Sequence, residues 1–275
     1  MQAAFKLIIC SAALFVGGIS VLAAEMPSKS NGLRELKLTY EIFVGGFHSG
    51  HVNLFVHRNS NYYELFAVTT STGPIDFLVG FRSYAQSRGA VSEEGFIPYS
   101  HHVNNVWTGD IRFVRIDYVN DKKIGVAPVR TIVHPTHEID ERDFVAIGDR
   151  RDTIDPLSAA LRAAHQSVGS NDRTPCNDSI PVFDGRRRYN LIFEDAGNES
   201  VDGPYYDGQA RKCLTSIERI AGFSGNPFLP QSKDLEGGEI WFAELVPNFP
   251  PIPVRFKTDI GLGNAFVHLM NHEWN

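Results

Sequence analysis

The sequence predicts a mainly β protein, built as a curled antiparallel sheet or open β-barrel with one principal α-helix at about residues 155–168. Two observations predict this class. Apolar and polar residues alternate with a period of two over many short segments, which is the pattern of strands with one buried face. Clusters of Gly, Pro, Asn and Asp separate most of these segments, as expected for short turns between antiparallel neighbours.

The first elements form a predicted strand and hairpin. Residues 36–44 alternate as a strand, and residues 52–57 and 63–67 alternate on either side of the turn-forming segment 59–61. Residues 75–81 follow a Gly-Pro pair and fit either a helical turn or a loop that plugs the sheet. The pattern leaves these two alternatives open.

The rest of the chain predicts more strands with the same alternation. Turn-forming clusters occur at 120–123, 195–198 and 234–238, and we expect the chain to reverse there. The predicted strands are 111–118, 188–193, 211–220, 239–245, 254–258 and 265–270.

The helix is predicted from its first turn. Asp155 can cap the N-terminus, because its carboxylate can accept a hydrogen bond from a backbone N–H group of the first turn. Pro156 suits the first helical position, because it has no N–H group that needs a partner there. Apolar residues from Leu157 to Ala164 then repeat at helical spacing. Ser158 lies in that first turn, where we expect its hydroxyl to bond to the backbone.

Residues 1–24 have the order of a secretory signal peptide: Lys6, an apolar run, and then Ala23 and Ala24 before Glu25. A retained membrane anchor is the alternative, but Gly and Ser residues interrupt the run. No later segment is apolar enough to cross a bilayer. We therefore expect one exported domain over residues 25–275, with a possible internal boundary near 169–180, in the periplasm of a Gram-negative bacterium.

The charge of the chain excludes one class of partner. The formal net charge is -6 at pH 7, and it becomes about -7 when Lys6 is removed with the signal peptide. Nucleic-acid binding needs a clustered basic surface, so we expect no nucleic-acid partner. The run Arg186, Arg187 and Arg188 is expected to be a solvated strand end; contact with an anionic ligand or lipid headgroup is the alternative.

The chain has three cysteines, of which Cys10 lies in the predicted signal peptide. The remaining pair, Cys176 and Cys213, is expected to form a disulfide, because export leads to an oxidising compartment. Such a bridge stabilises the fold by about 4 kcal/mol in the chain-entropy model. Two free buried thiols or half of a metal site are the alternatives.

One cluster resembles a metal or hydrolase site. His134, His137 and Glu138 lie close together, but zinc proteases place two histidines four residues apart with the glutamate between them. We therefore expect a polar surface loop, no metal and no cofactor. His101 and His102 are adjacent, so on a strand they would point to opposite faces. We find no nucleophile motif and predict no catalytic residues.

Several short segments together resemble a bacterial exported family known as domain of unknown function 3108. The resemblance covers most of the mature chain, and it implies a periplasmic protein with a curled antiparallel sheet and no established catalytic residues. The segments are the strand ending in Gly45 and Gly46, residues 72–81 followed by Ser87, Arg88 and Gly89, Asp155 to Ser158, Asp184 to Arg187, and Pro253 to Arg255.

These observations lead to one hypothesis and two alternatives. The hypothesis is a non-enzymatic periplasmic protein of the cell envelope that binds a lipid-like ligand or an envelope protein in the concave face of its sheet. The predicted architecture is similar, at the level of the fold, to that of periplasmic lipoprotein carriers and envelope-integrity proteins. The alternatives are an envelope hydrolase that uses the region of His134 and His137, and a structural module without a binding site.

Overall fold

The structure is a computed structural model that describes residues 34–92, 95–107, 110–123, 125–134, 144–167, 175–223, 237–259 and 263–275. Within these residues the chain forms thirteen β-strands, two α-helices and one 3-10 turn at Gly148–Arg150. The helices are α1 (Gly73–Val79) and α2 (Pro156–Gln166). The strands are β1 (Arg34–Val44), β2 (Phe47–Arg58), β3 (Tyr62–Ser71), β4 (Arg82–Ser92), β5 (Gly95–Trp107), β6 (Asp110–Asp121), β7 (Gly125–His134), β8 (Asp178–Phe183), β9 (Arg188–Asp202), β10 (Asp207–Ala221), β11 (Gly237–Ala243), β12 (Ile252–Asp259) and β13 (Asn264–Trp274).

All thirteen strands belong to one antiparallel sheet, in the order β7-β6-β5-β4-β3-β2-β1-β13-β12-β11-β10-β9-β8. Strands β1 to β7 form one meander and β8 to β13 form a second. They are joined where β1 pairs with β13, for example at Tyr40 opposite Leu269. The predicted mainly β class, with an antiparallel sheet that does not close into a complete barrel, is confirmed.

The sheet curls until its two edge strands, β7 and β8, come near each other. The segment before α2 spans the gap between them. Asp152 N donates to the carbonyl oxygen of Val126 in β7 at 2.6 Å, and Ile154 N donates to that of Pro181 in β8 at 3.0 Å. Phe183 N donates in turn to Ile154 O at 3.0 Å. β7 and β8 therefore do not pair directly with each other. Residues 152–154 lie between them and hydrogen-bond to both strands.

One face of the curled sheet, the inner face, holds the core. A row of inner-face residues crosses six strands, each residue directly opposite the next, and each is at most 3% exposed. Most residues of the row are apolar, but two are polar. Because these two polar side chains are buried, they need hydrogen-bond partners in the interior. The row is Leu36, Val56, Leu65, Ser87, His101 and Ile116.

Helix α2 packs against the inner face. Leu161 joins the core of β1 to β3, while Ala159, Ala163 and Ala164 pack against Ile180 of β8 and its neighbours. Small alanine side chains allow this close approach between helix and sheet. The helix therefore lies on the inner side of the curled sheet.

The structure contains the expected disulfide. Cys176 follows α2 and Cys213 lies on β10, and their Cα atoms are 5.8 Å apart. Both residues are buried in the core cluster of α2 and β8 to β10, and Phe242 of β11 belongs to the same cluster. The bridge therefore fastens the segment after α2 to the second meander.

Several predicted elements need correction or completion. The pattern missed β4, β5, β7 and β8, and the segment 75–81 is largely helical as part of α1. The turn predicted at 195–198 is wrong, because β9 runs through it and the chain reverses after Asp202. Asp195 Oδ1 accepts a hydrogen bond from Gly197 N at 3.0 Å, and Gly197 has φ of 82°. These turn-type residues form a local irregularity within a long strand.

Residues 1–24, the predicted signal peptide, lie outside the described residues, as do most of residues 234–238. Among the residues that are described, neither helix is long and apolar enough to cross a membrane.

Candidate functional site at the start of helix α2

The candidate site begins with the cap of α2. Asp155 Oδ1 accepts a hydrogen bond from Ser158 N at 3.0 Å, so the predicted cap is present. Ser158 differs from the expectation. Its Oγ donates to Asp155 Oδ2 at 2.6 Å, and it therefore serves a side-chain carboxylate and not the backbone.

Two inner-face residues extend this cap into a buried network. Ser87 Oγ of β4 donates to Asp155 Oδ1 at 2.5 Å and lies 2.8 Å from His101 Nδ1 of β5. His101 Nδ1 is also 3.2 Å from Asp155 Oδ1. The Ser87 hydroxyl donates its hydrogen to Asp155, so it can only accept a hydrogen bond from His101. We therefore place a hydrogen on His101 Nδ1, directed at Ser87 Oγ and the carboxylate of Asp155.

The network reaches β3 through a tyrosine. Tyr63 OH lies 2.7 Å from Ser158 Oγ. Since Ser158 donates its own hydrogen to Asp155, Tyr63 is the donor in this contact. Burial, followed by the charge of Asp155, raises the pKa of Tyr63 far above its ordinary value, so the phenol stays protonated.

Asp155 stays ionised although it is fully buried. Burial alone would raise its pKa, but the charge of His101 and hydrogen bonds from His101, Ser158 and Ser87 more than offset this and lower the pKa below its ordinary value. A buried carboxylate with this many donors is a structural anchor and a source of negative potential beside the imidazole of His101.

Ser87, His101 and Asp155 are the residue types of a catalytic triad, but their geometry is different. In a triad the carboxylate holds Nδ1 and the nucleophile lies against Nε2. Here Ser87 and Asp155 both contact Nδ1. Ser87 is therefore not placed to be activated as a nucleophile, and these three residues form a structural network.

A cavity of about 260 Å³ lies beside this network, on the inner face, between β5 to β7 and the β8–β9 turn. We call it the His101 cavity. Its walls are partly apolar, and its polar groups come from β5 to β7 on one side and from the β8–β9 turn on the other. It is lined by His101, Val103, Asn105, Arg112, Phe113, Val114, Val133, His134, Pro156, Asp184, Arg186 and Arg187.

Two buried polar atoms of the cavity lining lack a hydrogen-bond partner within the described part of the chain: His101 Nε2 and Asn105 Oδ1. His101 is 1% exposed. Its Nε2 is the ring nitrogen that does not contact Ser87 or Asp155. Buried polar atoms in native proteins are nearly always paired, so each of these two requires an explanation.

The rim of the cavity is rich in cations. Arg112 comes from β6, while Arg186 and Arg187 come from the β8–β9 turn. Asp184 is the acidic residue of the lining, and its Oδ1 accepts hydrogen bonds from the backbone N–H groups of Arg186 and Arg187 at 2.9 and 2.6 Å. The carboxylate thus shapes the turn that presents the two guanidinium groups.

The structure brings together some of the residues predicted from sequence. Arg186, Arg187 and His134 line the His101 cavity, whereas Arg188 points elsewhere and donates from Nε to Asp149 O at 3.0 Å. His137 and Glu138 lie outside the described residues. Among the residues that the structure does describe, no three His, Cys, Asp or Glu side chains come together as metal ligands.

Sequence reasoning missed the central residue of the site. The expectation that His101 and His102 face opposite sides is met, since His101 lies in the buried row while His102 is only partly buried and pairs across the strands with Arg115. The reason is that the sequence pattern did not predict β4 and β5 as strands. Without β4 and β5, nothing indicated that Ser87 and His101 are neighbours.

A second cavity, of about 410 Å³, lies near the C-terminal end of α2 and the disulfide. Its most prominent polar side chain is already engaged: Arg211 donates to Asp195 Oδ2 at 2.6 Å and to Asn198 Oδ1 at 3.2 Å. The Nε atom of Arg211 is nevertheless buried without a partner among the described residues, whereas the lining of the His101 cavity contains two such atoms. We therefore take the His101 cavity as the candidate site.

The fold and the cavity define an open, β-barrel-like protein with one helix packed against its inner face. Its fold is similar to a crystal structure described as a β-barrel-like protein of domain of unknown function DUF1849 from Brucella abortus. The TM-score is 0.50 at 9% identity, covering 88% of this chain and 98% of that one. At this identity the likeness concerns the fold alone.

The chain also matches the family described as "Protein of unknown function (DUF3108)" over residues 39–270. It belongs to that family, and the resemblance stated from short segments is confirmed. No curated protein matches the chain significantly.

Three of the five segments that carried the resemblance contribute residues to this site, although they are far apart in sequence. Ser87, Asp155 and Ser158 form the buried network, and Gly89 lies opposite Tyr63 on β3. The segment Asp184 to Arg187 forms the rim of the His101 cavity. Part of the recognisable sequence therefore forms the start of α2 and the cavity beside it.

Proposed function

We propose that this protein is a non-enzymatic, periplasmic protein of the bacterial cell envelope that binds a small amphipathic ligand in the His101 cavity. The observation that carries the proposal is the unpaired, buried Nε2 of His101 beside that cavity. Leaving a buried polar atom without a partner costs about 1–3 kcal/mol. A polar ligand group would supply the partner for this atom.

The other walls support an amphipathic ligand. Val103, Val114 and Val133 provide apolar surface beside the polar atoms of His101 and Asn105. The volume of about 260 Å³ lies just below the usual range of about 300–1,000 Å³ for drug-sized ligands. This favours a small molecule, or one end of a longer one, over a complete two-chain lipid.

An envelope protein partner is the second kind of ligand expected from sequence. Helix α2 and the core occupy much of the inner face, with Ala159 of α2 fully buried. A protein partner would therefore have to use the outer face, or the parts of β7 and β8 that the segment before α2 does not cover. The unpaired groups of the cavity favour the small ligand.

The proposed location in the cell envelope is supported by the N-terminal sequence and by the disulfide, not by the cavity. Residues 1–24 have the signal-peptide order, and a disulfide between Cys176 and Cys213 requires an oxidising compartment to persist. The test is the intact mass of the protein from fractionated cells. We expect a periplasmic species that has lost its first 24 residues; a full-length cytoplasmic species would contradict the location.

The ligand is tested by native mass spectrometry of protein purified from its own host. Val103→Phe places a larger side chain into the cavity from β5, and Val106→Phe, which lies on the opposite face of the same strand, is the matched control. We expect a bound small molecule on the wild type and on Val106→Phe, and none on Val103→Phe. Wild-type protein that carries no ligand, or equal occupancy in all three, would overturn the proposal.

A further inference from the structure

We propose that one end of the curled sheet docks on a membrane surface of zwitterionic lipids. We call this end the Phe77 surface; it consists of Phe47, Phe77, Trp107 and Ile111. Such docking goes beyond the proposed function and needs no ligand in the His101 cavity. Four features support it: the exposure of these side chains, their shared position in the sheet, their combined area and the charge beside them.

The Phe77 surface exposes large apolar side chains to solvent. Phe77 is 92% exposed and Phe47 is 69% exposed, the two highest values for large apolar residues in the described part of the chain. Ile111 and Trp107 are 58% and 47% exposed, and Trp107 contacts Phe81 edge-on, with ring centroids 5.6 Å apart. Single exposed apolar residues are ordinary, but a group of them at one place indicates an interaction surface.

The topology of the sheet brings these side chains to the same end. Phe47 begins β2, and Phe77 lies on α1, which links the end of β3 to the start of β4. Trp107 ends β5, and Ile111 is the second residue of β6. In an antiparallel meander the end of one strand lies beside the start of the next, so these positions share one end. The lining of the His101 cavity reaches this end too, since Asn105 lies two residues before Trp107 on the same face of β5.

The area of the Phe77 surface fits a membrane better than a second protein chain. Its exposed fractions amount to roughly 400–650 Å², taking about 150–250 Å² for each large side chain. A stable protein–protein interface needs about 800 Å² from each partner. Insertion into a bilayer has no such minimum, because lipids close around each side chain separately. Phe, Trp and Leu are typical of apolar faces that enter the headgroup region.

The charge beside the Phe77 surface favours zwitterionic lipids. Asp76 is the acidic residue of α1, and its Oδ1 accepts hydrogen bonds from Arg82 Nη1 at 2.6 Å and from Ser71 Oγ at 2.7 Å. A paired carboxylate costs less to bring towards a bilayer than a lone one. The chain has a net charge of -6, so an anionic membrane would repel it.

The test is flotation of the protein, purified from its own host, with vesicles of equal parts phosphatidylcholine and phosphatidylethanolamine. The variant is Phe47→Ser with Phe77→Ser, which changes two side chains too exposed to support the core. The control is Tyr99→Ser with Val129→Ser. These two side chains are 52% and 63% exposed, but they lie within β5 and β7, away from the Phe77 surface.

We expect the wild type and the control to float with the vesicles. The partition coefficient of the Phe47/Phe77 variant should be at least about tenfold lower, because burial of one large apolar side chain already changes an equilibrium by about this factor. Salt should have little effect, and phosphatidylglycerol in place of phosphatidylethanolamine should not strengthen binding.

Trp107 reports which end of the protein meets the membrane. Vesicles with brominated acyl chains should quench part of the tryptophan fluorescence of the wild type, and a smaller part in Trp107→Phe. The other two tryptophans are poor reporters for this contact, because Trp241 is buried and Trp274 lies opposite Leu36, at the other end of β1. Equal quenching in the two proteins would contradict docking through the Phe77 surface.

Three further results would overturn the proposal. Wild type that does not float, or a Phe47/Phe77 variant that floats equally well, would show that this surface does not bind lipid. Flotation only with phosphatidylglycerol, abolished by salt, would make charge the cause. A wild-type dimer that becomes a monomer in the variant, without flotation, would make a second copy the occupant. None of these results bears on the proposed function, which fails only if the host protein carries no ligand in its cavity.

Discussion

Tyr63 and Ser158 are 95 residues apart in the chain, yet their hydroxyl oxygens lie 2.7 Å apart in the interior. The contact ties the first turn of α2 to β3, across the inner face of the sheet. Through Ser158 it continues to Asp155, and from there to Ser87 and His101. The helix is thus held in place by a polar network as well as by apolar packing.

Asp155→Ala should be the most destabilising single change in this network. It removes the cap of α2 and leaves the partners of the carboxylate unpaired in the interior. Removing one member of a buried charged pair costs about 3–5 kcal/mol. Urea denaturation should show a loss of that size in the free energy of unfolding.

The matched control for this prediction is Asp178→Asn. Asp178 also forms a charged pair, with Arg162 at 3.0 Å, but its side chain is 20% exposed and that of Arg162 is 32% exposed. Partly solvated pairs of this kind contribute about 0–1 kcal/mol. If the two variants lose similar stability, the network around Asp155 is not the anchor that its geometry indicates.

Removal of the disulfide should destabilise the fold without abolishing it. The bridge joins residues 37 apart in sequence, and a loop of this length corresponds to about 4 kcal/mol in the chain-entropy model. The double variant Cys176→Ser and Cys213→Ser should lose about this much in urea denaturation. Alkylation of the unreduced wild type should label neither residue; two labelled thiols would show that the bridge is absent.

The parts of the fold that sequence predicted are those whose signal lies in residues close together in the chain. β1 to β3 alternate cleanly because Leu36, Val56 and Leu65 face the core. Helix α2 was predicted because Asp155 is a local cap, with its partner three residues away. In both cases neighbouring residues carry the information.

The missed strands β4 and β5 have polar residues on the buried face. Ser87 and His101 occupy core positions, so the apolar alternation is lost. Their burial is possible only because Asp155, 68 residues after Ser87, supplies a partner. The convergence of Arg112 with Arg186 likewise depends on the curl of the whole sheet, which no local pattern contains.

Gly89→Ala should destabilise the protein although glycine-to-alanine changes are usually mild in strands. Gly89 is buried opposite Tyr63, and a Cβ there would meet the Tyr63 ring and the backbone oxygen of Ile97. Overpacking of this kind costs about 1–3 kcal/mol. Gly148→Ala is the control, since a Cβ at that position meets no atom within 4 Å, and we expect a change within about 0.5 kcal/mol. Equal denaturation midpoints for the two variants would show that the site under Tyr63 is not tightly packed.

The stability of the fold should fall as the pH drops below neutrality, and His102 is one cause. Burial, together with the positive charge of Arg115, lowers the pKa of His102 below its ordinary value of 6.5. Below pH 6.5 the unfolded chain therefore binds a proton at this residue more readily than the folded chain does, and protonation favours unfolding. The loss of stability begins as the pH falls through 6.5 and is complete below the lowered pKa of the folded state.

Urea denaturation at several pH values between 7.5 and 5 measures this effect. His102→Asn removes the titrating group, so its stability should depend less steeply on pH than that of the wild type. Arg115→Gln should flatten the dependence in part, because it removes one of the charges that lower the pKa of His102 and leaves burial, the largest cause, in place. Profiles that run parallel for all three proteins would show that His102 does not contribute to the pH dependence of folding.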